Sequence, residues 1–387
     1  MASRTGRVIG LAAATAAAAG AAAGAAAVER SARERRSLPS LDPRRGYVQR
    51  PDAVLTVVAS DGVHLHVEID EPDAGGPVRP TVVLAHGFTL SCDSWVFQRR
   101  ALVAAGHRVV SWDQRGHGRS DAGDDAHASI EQLAHDLHAV IETVCPEGDL
   151  VLIGHSMGGM TLMALAHHHP TVILDRVLAT SFVATSAGGA GLTDLDFGPF
   201  VGQVLGRFGP AILGRLNRYA EPLHRLRRFG RNVEDALVER YSFDSPVSQQ
   251  LVRFCADMIF ATSFSTMAQF LVAIQKHDET GSLSVFSGIE TLVINGRGDL
   301  LTPPEHSDAL VEHLPGAEHV VVEEAGHLIQ LEHPDLVNQQ LLMLIDRALA
   351  ARAGAVGVAR KPRVRRVITD IARRRQVARA KSGAGVR

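Results

Sequence analysis

The chain has 387 residues and a formal net charge of −2. This length is enough for one large α/β domain with an insertion or for two modest domains, and the small net charge excludes a globally basic nucleic-acid binder. The three cysteines, Cys92, Cys145 and Cys255, include no C-x-x-C pair, so they indicate neither a disulfide framework nor a zinc site.

Residues 1–36 form an alanine-rich N-terminal segment that resembles a signal anchor. Residues 8–28 are uncharged and mostly alanine, and more arginines follow them than precede them. The length suits a membrane span of about 20 residues, and the arginine excess would place the rest of the chain in the cytoplasm. We therefore expect membrane association through this single anchor. A cleaved signal peptide of a secreted protein and a non-membrane arm of a cytoplasmic protein are the alternatives.

Strand and helix patterns alternate over residues 47–186. Apolar and polar residues alternate over 63–70 after an Asp61-Gly62 turn, which predicts a hairpin with one buried face. The continuous apolar run at 81–85 predicts a strand that is covered on both faces. Further strands are predicted at 108–112, 150–153 and 177–183, with helix-like stretches at 95–105 and 130–144. The alternation predicts a parallel, right-handed wound sheet, of which this region is the first part.

The stretch Val151–Thr161 joins an apolar strand-like run to a helix-like run. It contains a G-x-S-x-G pattern centred on Ser156. In a nucleophile elbow the serine occupies a strained turn, so its neighbours must be small, and glycines at 154, 158 and 159 meet that need. The helix N-terminus after Ser156 leaves unpaired N–H groups that can stabilise an oxyanion. The pattern alone is weak evidence, because strand-turn-helix connections also need glycine for structural reasons.

Residues 187–288 interrupt the strand rhythm with helix-like segments and no clear strand. An insertion of this size predicts a helical lid over the sheet. One segment carries the apolar residues Met258, Phe260, Phe264, Met267 and Phe270. This stripe either lines a substrate pocket or packs the underside of the lid on the core. The substrate-binding residues are therefore left unassigned.

The sheet pattern resumes over residues 289–351, the second part of the core. Strands are predicted at 291–295 and 319–322, with helices at 304–314 and 334–351. Residues 352–387 are rich in arginine and lysine and contain a single acid, Asp370. This composition predicts a basic flexible tail, either solvated or in contact with an anionic membrane surface. No aromatic residues are interleaved with the charges, so no nucleic-acid partner is expected.

Ser156, Asp299 and His327 each follow a predicted parallel strand. The carboxyl ends of such strands meet at one edge of an open sheet, so these residues can converge although they are far apart in sequence. Their order, serine then aspartate then histidine, is the order expected in one particular fold. The competing residues are His155, His306 and His333 for the histidine, and Asp308 and Asp194 for the acid.

The chain from residue 53 to 351 resembles the α/β-hydrolase family, specifically its lidded serine hydrolases, which include esterases, lipases and cofactor-free perhydrolases. The matching motifs are HGF at 86–88, SWDQRGHGRS at 111–120, GHSMGG at 154–159, NGRGDLLTP at 295–303 and EAGHL at 324–328. The resemblance implies an α/β fold with a mostly parallel, eight-stranded type of sheet, helices on its faces and a helical lid insertion.

The resemblance also implies a catalytic triad that needs neither metal nor cofactor. Ser156 would attack an acyl carbonyl, His327 would act as general base and then as general acid, and Asp299 would orient the imidazole. The main-chain N–H groups of Phe88 and Met157 would form the oxyanion hole.

Three further residues would support this site. His86 is expected to brace the oxyanion loop, and Asp113 and Arg115 are expected to fix the adjacent turn without touching substrate.

The interpretation that follows is a serine hydrolase that cleaves carboxylic esters, including lipid-like ones, through an acyl-enzyme intermediate. The same triad leaves open cofactor-free perhydrolase or haloperoxidase chemistry and the hydrolysis of C–C bonds. A non-catalytic ligand-binding protein is the alternative from another class. A serine at position 156 argues against epoxide hydrolases and haloalkane dehalogenases, since their nucleophile is an aspartate.

Overall fold

The computed structural model describes residues 46–77, 79–124, 127–188, 234–354 and 364–384. The predicted signal-anchor segment, and residues 189–233 of the predicted lid, lie outside the described residues.

Nine strands within the described residues form one sheet, in the order β1-β2-β4-β3-β5-β6-β7-β8-β9. They are β1 Ala53–Val58, β2 His64–Asp70, β3 Thr81–Ala85, β4 Val109–Trp112, β5 Leu150–His155, β6 Val177–Val183, β7 Glu290–Gly296, β8 Glu318–Val322 and β9 Val364–Ile368. The β1–β2 and β2–β4 pairs are antiparallel and all other neighbours are parallel. The predicted α/β fold with a mostly parallel sheet is therefore confirmed.

Helices cover both faces of this sheet. The α-helices are Val96–Ala104, Ile130–Val144, Met157–His168, Pro170–Arg176, 234–242, Gln249–Ile259, Phe264–Lys276, Pro304–Glu312, Ile329–Glu332, Pro334–Arg352 and Ile371–Ala384. Two short 3₁₀ helices span Cys92–Trp95 and Thr280–Phe286. Capping residues and prolines determine where several of these helices begin. The Ser129 side chain accepts the N–H of Gln132 at the start of the helix Ile130–Val144, and prolines are the first residues of the helices that begin at 304 and 334.

Apolar side chains on the two faces of the sheet form separate buried layers. Leu137 and Leu162 belong to the layer on one face, whereas Leu341 and Leu344, from the helix Pro334–Arg352, belong to the layer on the other. Strand β5 is buried along its whole length between these layers. A strand that is covered on both faces cannot alternate polar and apolar residues, which explains its continuous apolar sequence.

The described part of the predicted lid, residues 234–288, is helical and packs on the core. Val247, Leu251 and Val252 form a buried cluster with Val96 and Leu328 of the core. Phe270 lies in the main core layer, and Phe260 lines a cavity described below. The apolar stripe therefore serves both packing and the cavity wall.

No single described helix is long and apolar enough to cross a membrane. The helices Gln249–Ile259 and Phe264–Lys276 meet the length and composition test only as a pair, and they are bent by 89° at their junction.

The prediction of a flexible basic tail is wrong for residues 364–384. Strand β9 runs parallel to β8, and the helix Ile371–Ala384 follows it. Three of the tail's basic side chains pair with acids of the core: Arg365 with Asp308, Arg366 with Glu318, and Arg374 with Glu324. The composition of the tail predicted flexibility, but the acids that pair with these arginines lie elsewhere in the chain and come close to them only in the fold.

Candidate active site

Ser156 lies at the tip of a strained turn between β5 and the helix Met157–His168. Its backbone has φ +50° and ψ −118°, a conformation that non-glycine residues rarely adopt. The Ser156 N–H donates to Val183 O at 3.0 Å. A Cβ on Gly158 would collide with the Ala85 carbonyl, and one on Gly154 would lie 2.6 Å from the Gly158 backbone. The flanking glycines are therefore needed for the turn to close.

Asp299 and His327 form a buried hydrogen-bonded pair at the ends of β7 and β8. The Asp299 Oδ2 atom accepts His327 Nδ1 at 2.9 Å and the hydroxyl of Thr302 at 2.8 Å. The Oδ1 atom accepts the N–H groups of Leu301 and Thr302 at 2.8 and 2.9 Å. Because the carboxyl group of Asp299 faces His327 as an acceptor, the hydrogen bond between them forms when Nδ1 of His327 carries the proton. The Nε2 atom of His327 is thereby left as the proton acceptor.

The competing histidines and acids have other partners. His155 is fully buried beside the pair, and its Nε2 donates to the main-chain oxygen of His327 at 3.0 Å. Burial lowers the pKa of His155 well below its ordinary value, so this ring stays neutral. His306 bonds the hydroxyl of Ser186, and Asp308 pairs with Arg365. Asp194 lies outside the described residues.

The loop that carries His327 is held by a fully buried carboxylate that the sequence analysis missed. Glu332 accepts the Gly326 N–H on Oε2 at 2.6 Å and the N–H groups of Asp244 and Ser245 on Oε1. Glu332 therefore ties the His327 loop to the lid segment. The available signal in the sequence was an acid four residues after the EAGHL motif, next to the apolar Leu331.

His333, the next residue, joins the same loop to the C-terminal extension. Its Nε2 faces the Glu324 carbonyl at 2.9 Å and its Nδ1 faces Asp370 Oδ2 at 3.0 Å. Both partners are acceptors, so both ring nitrogens must donate and the ring is an imidazolium. Burial alone would lower the pKa of His333, but the hydrogen bond to Asp370 and the charge of Glu332 outweigh it and raise that pKa.

His86 braces the loop that carries Phe88, in the predicted position. His86 Nδ1 donates to Gly87 O at 2.7 Å, and His86 Nε2 accepts the Gln114 N–H at 2.9 Å. The Gln114 amide in turn donates to His86 O at 2.6 Å. Burial lowers the pKa of His86, in agreement with a neutral ring that has one donor and one acceptor nitrogen. Phe88, on this loop, lines the same cavity as Ser156.

The turn after β4 is fixed by buried charges. Asp113 accepts the N–H groups of Cys92 at 2.7 Å and Arg119 at 2.9 Å. Arg115 pairs with Asp136 at 2.6 Å and with Asp61 at 2.7 Å. Neither Asp113 nor Arg115 lines the cavity. Their hydrogen bonds and ion pairs hold the turn in shape.

Ser156 and His327 line the same cavity, which has a volume of about 280 Å³. Its walls are mostly apolar and come from both core and lid: Phe88, Leu90, Met160, Leu237, Val238, Ile259, Phe260, Ile274, Leu301 and Leu328. The polar side chains of the lining are those of Thr89, His155, Ser156, Tyr241, Ser242, Thr302 and His327. Such a site can bind an apolar group while placing one polar bond at the hydroxyl.

The cavity walls hold no set of metal ligands within the described residues. Three groups of histidine, cysteine and carboxylate side chains come within metal-binding reach of one another, and none of them contains a cavity-lining residue.

Comparison with curated proteins places this chain among α/β enzymes. Residues 80–334 match the family model of the alpha/beta hydrolase fold. The dihydrolipoyllysine-residue acetyltransferase component of an acetoin cleaving system from Pseudomonas putida is 28% identical over 71% of the chain, which spans 66% of that protein. A non-heme chloroperoxidase of Streptomyces lividans is 26% identical over 75% of the chain and 99% of its own length. Epoxide hydrolase B of Mycobacterium tuberculosis is 36% identical over 36% of the chain and 37% of its own length.

Solved structures show the same architecture. An esterase from Thermogutta terrifontis aligns with a TM-score of 0.59 and 24% identity over 76% of this chain and 99% of its own. A bromoperoxidase from Bacillus anthracis aligns with a TM-score of 0.60 and 22% identity over 76% of this chain and 100% of its own. At these identities the likeness shows a shared fold.

Proposed function

Because the chain belongs to the alpha/beta hydrolase family, we propose that it is a serine hydrolase that cleaves carboxylic esters through an acyl-enzyme intermediate. One observation carries this proposal. Ser156, with its strained backbone, and His327, whose Nδ1 is hydrogen-bonded to the buried Asp299, both line one mostly apolar cavity.

In the first step, His327 Nε2 takes the proton of the Ser156 hydroxyl as the oxygen attacks the ester carbonyl. The Asp299 carboxylate stabilises the imidazolium that forms and keeps its orientation. The tetrahedral intermediate collapses when His327 returns the proton to the leaving alcohol. The acyl group then remains on Ser156.

In the second step, His327 takes a proton from the water molecule that attacks the acyl-enzyme. His327 then gives that proton to the Ser156 oxygen as the bond to the acyl carbon breaks, which releases the carboxylic acid and restores the enzyme. Negative charge develops on the carbonyl oxygen in both steps. We assign its stabilisation to the main-chain N–H groups of Phe88 and Met157. Met157 is the first residue of its helix, so its N–H has no acceptor within the helix. Phe88 lies on the loop that His86 braces.

The cavity supports a substrate with a short to medium acyl group. A volume of about 280 Å³ among the described residues is near the lower limit for ligand pockets. Its apolar walls favour an aliphatic or aromatic acyl chain without charge. The structurally similar protein from Thermogutta terrifontis is an esterase, which agrees with an ester substrate.

Perhydrolysis is the second candidate, and the chloroperoxidase relative favours it because the match spans nearly that whole protein. Hydrogen peroxide would replace water in the second step. Its oxygen would attack the acyl-enzyme, His327 would take its proton, and a peracid would leave instead of a carboxylic acid. The Ser156 acyl-enzyme is common to both reactions.

Steady-state hydrolysis of p-nitrophenyl esters from acetate to palmitate tests the proposal. We expect the highest kcat/KM at short to medium chains, and a loss of at least about a thousandfold in the Ser156→Ala variant. Repeating the assay with hydrogen peroxide and a peracid-specific readout separates the two candidates. Undiminished turnover by Ser156→Ala would rule out the serine mechanism.

A further inference from the structure

Five histidines lie close together around the C-terminal end of the helix Met157–His168, the end opposite Ser156. We call His135, His138, His167, His168 and His169 the histidine patch. His135 and His138 lie on the helix Ile130–Val144, and the others end the helix Met157–His168 or follow it directly. None of the five lines the catalytic cavity, and the proposed hydrolysis uses none of them.

We propose that Glu131, His135 and His168 bind a divalent transition-metal ion. One ligand atom from each of these residues lies within 4.8 Å of the others. Glu131 and His135 are four residues apart on one helix, so their side chains share a face, with 4.0 Å between Glu131 Oε1 and His135 Nε2. His168 approaches from the neighbouring helix, with its ring centroid 5.3 Å from that of His135.

The angle between the His135 and His168 rings allows both to bind one metal ion. Their planes make an angle of 54°, so in-plane lone pairs on the two rings can converge on one point. Both side chains and that of Glu131 reach the surface, so small rotations can shorten the contacts to the bond lengths of about 2.0–2.2 Å that Zn²⁺ requires. Water would complete the coordination.

His169 acts as the outer-shell partner of this site. His135 Nδ1 lies 2.8 Å from His169 Nε2. When His135 binds the ion through Nε2, its Nδ1 carries the proton and donates to His169. Such a donation from a ligating imidazole fixes the tautomer and orientation of the ring. His138 stacks on His169 with 3.8 Å between centroids and 9° between planes, which holds His169 in place.

A neighbouring set, His167, His168 and Glu279, is less suited to a metal. The His167 and His168 rings are nearly parallel, 15° apart at 4.4 Å, so their lone pairs do not meet at one ion. His167 Nδ1 is also bonded to Glu279 Oε2 at 3.0 Å. His168 is therefore assigned to the set that contains Glu131.

The ligand types select the metal. Two imidazoles and one carboxylate suit Zn²⁺, Ni²⁺ or Cu²⁺, whereas Mg²⁺ and Ca²⁺ prefer sites made only of oxygen. The ion would cross-link the helices Ile130–Val144 and Met157–His168, beside a groove that the lid helix Phe264–Lys276 also lines. Because the ion would bind the folded chain in preference to the unfolded one, it would raise the melting temperature.

Isothermal titration calorimetry of untagged, chelator-treated full-length protein tests the site with Zn²⁺, Ni²⁺ and Mg²⁺. We expect one equivalent of Zn²⁺ or Ni²⁺ to bind and Mg²⁺ to bind far more weakly. The His135→Gln and His168→Gln variants should each weaken Zn²⁺ affinity by at least about tenfold, and so should the outer-shell variant His169→Ala. Hydrolysis by these metal-free variants should equal that of the wild type.

His313→Gln is the matched control. His313 is an exposed histidine whose Nδ1 bonds the Ala309 carbonyl of its own helix, far in sequence from the patch. It should bind Zn²⁺ like the wild type. The proposal is overturned if wild-type protein binds no Zn²⁺, if the His135 and His168 variants bind as tightly as the wild type, or if His313→Gln loses affinity equally. Circular dichroism of each variant reports whether it is folded.

Discussion

Ser156 shows how one residue's backbone determines its chemistry. Its positive φ places the hydroxyl above the sheet edge, and the neighbouring glycines make that conformation accessible. The G-x-S-x-G pattern predicted this turn because its glycines are required sterically. Asp299 and His327 could be proposed as the distant partners of Ser156 because parallel strands end at one edge of the sheet and because the NGRGDLLTP and EAGHL motifs resemble those of a known family. Glu332 could not be predicted, since nothing local marks a carboxylate that accepts three main-chain N–H groups in the fold.

Replacement of Gly158 by alanine should destabilise the protein. The new Cβ would meet main-chain atoms of Ala85 and His86, which cannot move aside as a flexible side chain can. We expect a loss of about 3 kcal/mol or more in the free energy of unfolding, measured by urea denaturation. Gly281→Ala is the control, because a Cβ added at Gly281 would meet no atom within 4 Å. Equal stability of the two variants would contradict the steric argument.

Replacement of Asp299 by asparagine should abolish most activity while leaving the fold intact. The asparagine amide would favour the wrong tautomer of His327, so kcat should fall by about a thousandfold to ten-thousandfold. Asp308→Asn is the control, since Asp308 pairs with Arg365 at the surface. If both variants lose activity to the same degree, Asp299 is not the residue that orients His327.

The C-terminal strand and helix are the elements that the amino-acid composition failed to predict, because it indicated a flexible tail. Strand β9 covers the edge of β8, and His333 and Arg374 connect this extension to the loop of His327 through Asp370 and Glu324. Each contact joins residues that are distant in sequence. A basic stretch predicts disorder only when its charges stay unpaired, and pairing is a property of the whole fold.

The His333–Asp370 contact should make stability depend on pH. The pKa of His333 is raised in the fold, so its contribution is fully present below its ordinary value of 6.5 and is lost as pH rises through the folded value. The pKa of Asp370 is lowered, so its contribution is present above 3.8 and is lost only at lower pH. We expect His333→Gln to destabilise the protein more at pH 5.5 than at pH 9.

Urea denaturation of both proteins at the two pH values measures this difference. An equal loss of stability at both pH values would show that His333 is not charged in the fold.

At the scale of the whole molecule, the sequence patterns predicted the mostly parallel sheet and the edge of it at which the candidate site lies. Helix bounds at 130–144 and strand bounds at 81–85 and 177–183 agree with the structure, because periodicity and capping signals are local. The ninth strand and the cavity walls depend on packing between distant segments. The pattern of apolar and polar residues within one segment carries little information about its contacts with distant segments.

Truncation after Gly354 tests the ninth strand as part of the fold. Removal of β9 would expose the hydrogen-bonding edge of β8, whose side chains are mostly buried, and would leave the buried His333 without Asp370. We expect a lower melting temperature and a greater tendency to aggregate, measured by thermal denaturation and light scattering. Removal of residues 385–387 alone should leave both unchanged. An unaltered melting temperature after the longer truncation would show that β9 does not stabilise the sheet.

The most direct test of the central claim is mass spectrometry of the protein after reaction with a fluorophosphonate. A covalent adduct on the peptide that contains Ser156 is expected in the wild type. It should be absent in Ser156→Ala and formed far more slowly in His327→Ala. Rapid labelling of Ser156→Ala to the same extent, or no labelling of wild-type protein that is folded, would contradict a serine nucleophile activated by His327 and Asp299.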